Sequence, residues 1–157
     1  EPERIQTSIE IPCDAYLPEE YVLDSKERFS LYKRIAGAKD METLSDAEME
    51  LEDRYGDLPR QARNLLNVAR LRTLCSSLGI TQVSLAGVDL VLRKQKLAFR
   101  IEIPHVFPFD RVQPLSKTFP GLSLGGRGSA LTLVLSGKSP DEVLGLSLKL
   151  AKELASR

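Results

Sequence analysis

The sequence predicts an α+β domain with an N-terminal strand and extended arm, a three-helix segment, an antiparallel β-meander and a C-terminal helix packed on the sheet. Apolar residues recur about every 3.6 positions through residues 24–78 and again through 140–155, as on the buried face of a helix. Over residues 83–103 they alternate with polar residues instead, as on a half-buried strand. The chain has 157 residues, 42% of them hydrophobic, which is enough for a single domain spanning 1–157.

Residues 1–23 are predicted to form a strand and an arm. Residues 4–11 are rich in β-branched side chains and partly alternate, which favours a strand. Pro12 and Pro18 keep residues 12–23 extended, because proline fixes φ and donates no backbone hydrogen bond.

The helical part, residues 24–80, opens with a capping pair, Asp24 and Glu27. The first helix is expected to reach Ala36 and to end at Gly37. Its buried residues are predicted to be Leu31, Tyr32, Ile35 and Ala36.

The second helix is expected to begin after the N-cap residue Asp40 and to end at Tyr55, because Gly56 supplies a left-handed stop. Its apolar face comprises Leu44, Ala47, Leu51 and Tyr55. Three carboxylates at i, i+4 and i+7 form the opposite side, called here the acidic face: Asp46, Glu50 and Asp53. They repel one another by about 0.2–0.5 kcal/mol per neighbouring pair, so helix stability does not require them. The acidic face is either merely solvated or a docking surface for an arginine-rich partner, and both interpretations stay open.

The third helix is expected to run from Pro59 to Leu78, with Gly79 as its stop. Its buried face turns along its length, from Leu65, Leu66 and Ala69 to Leu71, Leu74, Cys75 and Leu78. A helix buried in this way is contacted from two sides, which predicts that it is central. The solvent stripe is predicted to be Arg63, Asn67 and Arg70.

Residues 81–157 are predicted to form the sheet and the remaining helices. The first strands are expected around residues 82–86, at 90–93 and at 97–103, with turns at 87–89 and 94–96. A short helix is expected within 108–119, two strands at 121–124 and 130–136 with a hairpin at Gly125–Gly128, and a last helix at 140–155.

The charge balance argues against a dedicated nucleic-acid binder, because 22 basic and 22 acidic residues cancel. The distribution is uneven: residues 40–57 carry eight acids and one base, and residues 60–72 carry four arginines and no acid.

Cys13 and Cys75 define neither a metal site nor a disulfide framework, and Cys75 is expected to be a small buried apolar residue. Without an apolar run of transmembrane length or a signal-peptide pattern, we expect a cytoplasmic location. Because the first residue is Glu rather than Met, we expect a domain of a larger protein.

No catalytic, cofactor or metal site is predicted. The segment Ser-Gly-Lys-Ser at 136–139 suggests a phosphate loop, but the loop needs an earlier glycine where this chain has Thr132, inside a strand. Ser139 is predicted instead to cap the last helix, with Pro140 at its first position and Glu142 as the capping-box partner.

Several segments carry a family resemblance. They are residues 14–22 (Asp-Ala-Tyr-Leu-Pro-Glu-Glu-Tyr-Val), 31–36 (Leu-Tyr-Lys-Arg-Ile-Ala), 50–59 (Glu-Leu-Glu-Asp-Arg-Tyr-Gly-Asp-Leu-Pro), 65–72 (Leu-Leu-Asn-Val-Ala-Arg-Leu-Arg) and 78–80 (Leu-Gly-Ile). In order and spacing they resemble the C-terminal domain of bacterial transcription-repair coupling factor. The match is dense from about residue 8 to residue 80; beyond residue 81 only the pattern of strands and a final helix agrees.

The resemblance implies a non-catalytic regulatory domain with no cofactor of its own. The parent protein would be a DNA translocase that uses ATP and Mg, displaces stalled RNA polymerase and recruits the nucleotide excision repair protein UvrA. The domain would dock on the N-terminal UvrB-like module of the same protein, mask UvrA binding and restrain the motor. The family's contacts come from the acidic helix before an Asp-Arg-aromatic-Gly turn, which here implies Glu50 and Asp53. Asp46 is added because it lies one turn earlier on the same face.

The alternative is an accessory nucleic-acid-binding module. Its basic residues would be Arg60, Arg63, Arg70 and Arg72 together with Lys94 and Lys96.

Overall fold

A computed structural model describes residues 5–119, 121–127 and 130–156 and confirms the α+β class. The strands are β1 (Ser8–Glu10), β2 (Ile80–Asp89), β3 (Lys94–Ile101), β4 (Ser123–Arg127) and β5 (Ala130–Gly137). The helices are α1 (Ser25–Ala36), α2 (Met41–Tyr55), α3 (Arg60–Ser77), α4 (Val112–Leu115) and α5 (Pro140–Ala155), with short 3-10 turns at Pro104–Val106 and Phe109–Arg111.

The five strands form one mixed sheet in the order β1-β2-β3-β5-β4. The pairs β2–β3, β3–β5 and β5–β4 are antiparallel, as in the predicted meander, although β5 rather than β4 lies beside β3. β1 adds in parallel to the outer edge of β2, with Ile9 opposite Val83. The predicted strand at 4–11 is thus reduced to three residues, and residue 4 lies outside the described part of the chain.

The predicted strand at Leu90–Arg93 is wrong, because this segment is the turn between β2 and β3. The two predicted turns, at 87–89 and 94–96, lie within β2 and β3. The physical reason is the side chain of Asp89. One of its carboxylate oxygens accepts hydrogen bonds from the backbone N–H groups of Val91 and Leu92 at 3.1 and 3.0 Å, which stabilises a turn despite the apolar composition.

Two further boundaries differ from the prediction. Only Val112–Leu115 of the expected helix at 108–119 is α-helical. β4 includes Gly125 and Gly126, and the tip of the predicted hairpin, residues 128–129, lies outside the described residues.

Two hydrophobic clusters share α3. The first half of α3 contributes Leu66 and Ala69 to a cluster with α1, α2 and the arm. The second half contributes Leu71 and Cys75 to the cluster between α3, α5 and the sheet. The rotation of its buried face and its central position are therefore confirmed, although Leu65 and Leu74, also predicted to be buried, are half-buried.

Gly79 ends this helical part and holds the sheet close to the turn after β3. Its φ is +75°, and its carbonyl oxygen accepts hydrogen bonds from the backbone N–H groups of Glu102 and Ile103 at 2.8 and 3.1 Å. A Cβ at this position would lie 2.6 Å from the carbonyl oxygen of Ile103. Both this clash and the positive φ require glycine.

Candidate interaction surface on the second helix

The orientation of α2 is fixed by its inner face and its two ends. Leu44, Ala47 and Leu51 are buried, as predicted. The Asp40 carboxylate accepts a hydrogen bond from the backbone N–H of Thr43 at 2.7 Å, and Gly56 follows the helix with a φ of +88°. Because one side of the helix is buried, the residues half a turn away must face outward.

The acidic face does lie on the outer side of α2. Asp46 and Asp53 are exposed, and no ion pair or side-chain hydrogen bond joins either to another residue in the described ranges. Glu50 is only half-exposed, because its carboxylate forms an ion pair with Arg34 of α1. The structure thus places the three predicted residues together but shows that one already holds a guanidinium group of this chain.

Met49 belongs to the same surface and was missed by the sequence analysis. It is 64% exposed and lies three residues after Asp46 and four before Asp53, which places it between these carboxylates on the helix. Its spacing from the acidic residues was the available signal. The acidic face therefore has an exposed apolar residue at its margin.

A second set of contacts joins the end of α2 to α1. The Glu27 carboxylate accepts a hydrogen bond from the Tyr55 hydroxyl at 2.6 Å and one from the Arg54 guanidinium at 3.0 Å. The hydrogen bond to Glu27, followed by partial desolvation, raises the pKa of Tyr55 above its ordinary value. Tyr55 packs against Tyr21, with ring centroids 5.7 Å apart, so α1, α2 and the arm are tied at this point.

Two of the predicted buried residues of α1 behave otherwise. Leu31 and Ile35 are buried, but Ala36 is exposed at the end of the helix and Tyr32 is half-buried. The Tyr32 hydroxyl accepts a hydrogen bond from the backbone N–H of Leu17 at 2.7 Å, which keeps its polar end at the arm rather than in the core.

The basic residues of α3 are largely engaged within the chain. Arg60 pairs with Asp141 and Asp14 at 2.8 and 3.0 Å. Arg70 was predicted to face solvent, but its side chain is only 12% exposed and pairs with Glu48 at 2.8 Å. The prediction failed because an inter-helical partner for Arg70 is not visible in the periodicity of α3 alone.

The other basic residues do not complete a single surface. Burial lowers the pKa of Arg72, whose guanidinium donates to the carbonyl oxygen of Ala36, whereas Arg63 is exposed. Lys94 and Lys96 lie on β3, where they alternate with buried residues of the face that contacts the helices. They therefore lie across the sheet from α3.

The segment Ser136–Ser139 ends β5 and caps α5, as predicted. The Ser139 hydroxyl accepts a hydrogen bond from the backbone N–H of Glu142 at 3.2 Å, and the Glu142 carboxylate accepts one from the backbone N–H of Lys138. Cys75 is buried, which raises the pKa of its thiol, and it is a free cysteine.

Within the described residues, no cluster of three or more His, Cys, Asp or Glu side chains is arranged to hold a metal ion. A helix long and apolar enough to cross a membrane is likewise not found among them.

The fold and this surface define an α+β domain in which α3 and α5 cover one face of a mixed sheet and α2 presents an acidic outer face. The same architecture is found in a crystal structure of the C-terminal domain of transcription-repair coupling factor. The two superpose with a TM-score of 0.66 over 95% of each chain, at 19% sequence identity.

The family model of the TRCF domain matches residues 11–99, more than half of this chain. The chain belongs to the TRCF domain family.

Curated relatives agree with this assignment. The chain is 44% identical over 78 residues to the transcription-repair-coupling factor of Escherichia coli (strain K12), covering 50% of this chain and 7% of that protein. It is 43% identical over 83 residues to that of Mycobacterium tuberculosis (strain CDC 1551 / Oshkosh), covering 53% and 7%. The alignment with the Bacillus subtilis (strain 168) protein is longer, with 26% identity over 154 residues, 97% of this chain and 13% of that protein. The chain thus spans only a small part of the length of these relatives.

Proposed function

We propose that this chain is a single regulatory domain of a transcription-repair coupling factor, and that the acidic face of α2 docks on the N-terminal UvrB-like module of the same protein. Docking masks the surface that binds UvrA and restrains the motor until the parent protein engages stalled RNA polymerase. The parent is an ATP-dependent DNA translocase of the bacterial cytoplasm. ATP and Mg serve the motor, and this domain contributes contacts rather than catalysis.

The observation that carries the proposal is the outward projection of Asp46, Glu50 and Asp53 from a helix whose opposite side is buried. Membership of the TRCF domain family supplies the context. The three carboxylates follow a repeat of about one helical turn, so they can meet basic groups spaced along a single surface.

The chemistry of the acidic face favours guanidinium partners. Carboxylate–guanidinium pairs can be bidentate, which adds orientation to attraction. Glu50 already binds the guanidinium of Arg34. Asp46 and Asp53 are exposed on either side of it along the helix and are available for the partner's cations. Pairs of this kind remain partly solvated, and the screening length, about 8–10 Å near physiological salt, becomes shorter as salt rises. Docking should therefore weaken with increasing salt.

The proposal is tested in the full-length protein by reversing two charges, Glu50→Lys and Asp53→Lys. The two lysines would repel the basic surface of the N-terminal module and weaken docking. We therefore expect more UvrA binding and faster ATP turnover. The matched control is Glu153→Lys, which reverses an exposed helical carboxylate on α5 instead. Unchanged UvrA binding and ATP turnover in the folded double variant would overturn the proposal.

The nucleic-acid-binding alternative is less well supported by these contacts. Arg60 and Arg70 are paired with carboxylates of this chain, and Arg72 is half-buried. A filter-binding titration on duplex DNA separates the two hypotheses. The docking proposal expects no sub-micromolar, salt-sensitive binding by this chain.

A further inference from the structure

The outer edge of β2 is covered over only part of its length. β2 has ten residues, but β1 pairs with Gln82, Val83 and Ser84 alone. Pro12 follows β1 closely and cannot donate to a neighbouring strand, so the arm turns away there. The second half of β2, Leu85–Asp89, pairs with β3 apart from an irregularity at Ala86. No strand among the described residues pairs with its other side, and we call this side the open β2 edge.

A groove lies where β1 stops and β2 continues. It is shallow and open to solvent, and it is lined by Glu10, Ile11, Pro12, Ser84 and Leu85. From this point a further extended segment could pair with the edge of β2 where β1 ends. An open edge of five residues offers about 17 Å of unpaired backbone.

Exposed apolar side chains lie on the open β2 edge and in the turn that follows it. Val88 is 58% exposed, and in the adjoining turn Leu90 and Val91 are 85% and 90% exposed. Isolated exposed aliphatic residues are ordinary, but here they are contiguous with an unpaired strand edge. The two features together match the requirements of strand addition, in which the backbone supplies affinity and alternate side chains supply specificity.

Apart from Glu10 in the groove, the charge beside this edge is basic. Residues 85–96 carry Arg93, Lys94 and Lys96 against a single acid, Asp89. The Asp89 carboxylate is occupied by turn N–H groups, and Lys96 lies directly opposite Gly87 on the neighbouring strand.

The sequence of β1 indicates which side chains a strand at this edge can carry. Its sequence, Ser8-Ile9-Glu10, is followed by Ile11 and alternates aliphatic and polar residues. Ile9 contacts the core under the sheet, whereas Glu10 stays exposed and accepts a hydrogen bond from Gln82. The occupied half of the edge is thus a template for the open half.

We propose that the open β2 edge, Leu85–Asp89, binds an extended segment of a partner protein with alternating aliphatic and acidic side chains, which adds to the sheet as a further strand. The aliphatic side chains contact Val88 and the Leu90–Leu92 turn, and the acidic ones face Arg93, Lys94 and Lys96. This site is separate from the acidic face of α2 and does not depend on it.

The test uses the 157-residue chain labelled with ¹⁵N and a capped heptapeptide of alternating glutamate and valine. We expect amide shifts confined to residues 85–92 and to the groove. A peptide with lysine in place of glutamate should bind about tenfold more weakly or worse, because its charges oppose the lysines of β3. A glutamate peptide with N-methyl groups on alternate amides should also lose binding, since it keeps the side chains but cannot pair with the edge.

Variants of exposed residues keep the test independent of folding. Val88→Ser with Leu90→Ser should weaken binding of the glutamate peptide about tenfold. Leu23→Ser, at an aliphatic residue that is 83% exposed on the arm, is the matched control and should have no effect. Lys96→Glu should weaken the glutamate peptide and strengthen the lysine peptide.

Three results would overturn the proposal. One is no binding of the glutamate peptide up to about 1 mM, the weak end of specific recognition. Another is equal binding of the N-methylated peptide, which would exclude strand addition. The third is dimerisation of the chain that disappears in the Val88→Ser, Leu90→Ser variant, which would assign the edge to a second copy.

Discussion

Arg34 of α1 and Glu50 of α2 form an ion pair in which each side chain is 39% exposed. The pair places a cation of this chain on a carboxylate of the acidic face. Arg34 therefore competes with any external guanidinium for Glu50. An exposed pair of this kind contributes little to stability, on the order of 0.2–1 kcal/mol, so a partner can displace it.

Removing this competitor should strengthen docking. For Arg34→Gln we expect about two- to fivefold tighter association with the N-terminal module, together with slower ATP turnover in the full-length protein. Lys33→Gln is the control. Lys33 is also an exposed cation of α1, but it lies over the ring of Phe29 and not against α2. Weaker docking in Arg34→Gln, with Lys33→Gln unchanged, would contradict the competition.

The Tyr55–Glu27 hydrogen bond should contribute measurably to stability. Tyr55→Phe removes the 2.6 Å contact between α2 and α1, and we expect the free energy of unfolding to fall by about 0.5–1.5 kcal/mol. Urea denaturation followed by circular dichroism measures it. Tyr16→Phe, at a tyrosine 44% exposed on the arm, should change stability by less than about 0.5 kcal/mol. If both substitutions lowered the free energy of unfolding equally, the Tyr55–Glu27 hydrogen bond would not stabilise the fold.

The core around α3 should be sensitive to truncation. Leu66 is fully buried in the cluster shared with α1 and α2, so Leu66→Ala should lower the free energy of unfolding by about 2–5 kcal/mol. Leu90→Ala, at a leucine that is 85% exposed, should change it by less than about 0.5 kcal/mol. A small effect at Leu66 would mean that the helical cluster is not packed as described.

Stability should fall in alkaline solution. Burial raises the pKa of the Cys75 thiol above 9.0, the Tyr55–Glu27 hydrogen bond raises that of Tyr55 above 10.0, and burial raises that of Tyr21. Each group keeps its proton longer in the folded chain, so its contribution is fully present below the unfolded pKa and is lost as pH rises toward the folded one. Urea midpoints should therefore decline from about pH 9 upward. A flat profile between about pH 9 and 11 would contradict these environments.

Local chemistry explains which elements the sequence could predict. Asp24, Asp40 and Ser139 cap their helices with the expected side-chain hydrogen bonds, and these interactions span only two or three residues. The β2–β3 turn was not predictable from apolar composition, because the single side chain of Asp89 forms it. Turn formation by one aspartate outweighed the strand propensity of the residues that follow it.

Non-local pairing was not predictable from periodicity. β1 pairs with residues of β2 more than seventy positions away, and nothing in residues 4–11 encodes a parallel partner. Arg70 finds Glu48, and Arg34 finds Glu50, only once the helices are packed. The outward direction of the acidic face was predictable, because it follows from the helical repeat and the buried face of α2 alone.

The most direct test of docking through the acidic face is a calorimetric titration of this chain with the separately purified N-terminal UvrB-like module. We predict binding that weakens as salt is raised and that is lost in the Glu50→Lys, Asp53→Lys variant, while Glu153→Lys binds like the unaltered chain. Binding of undiminished strength by the double variant would contradict the account.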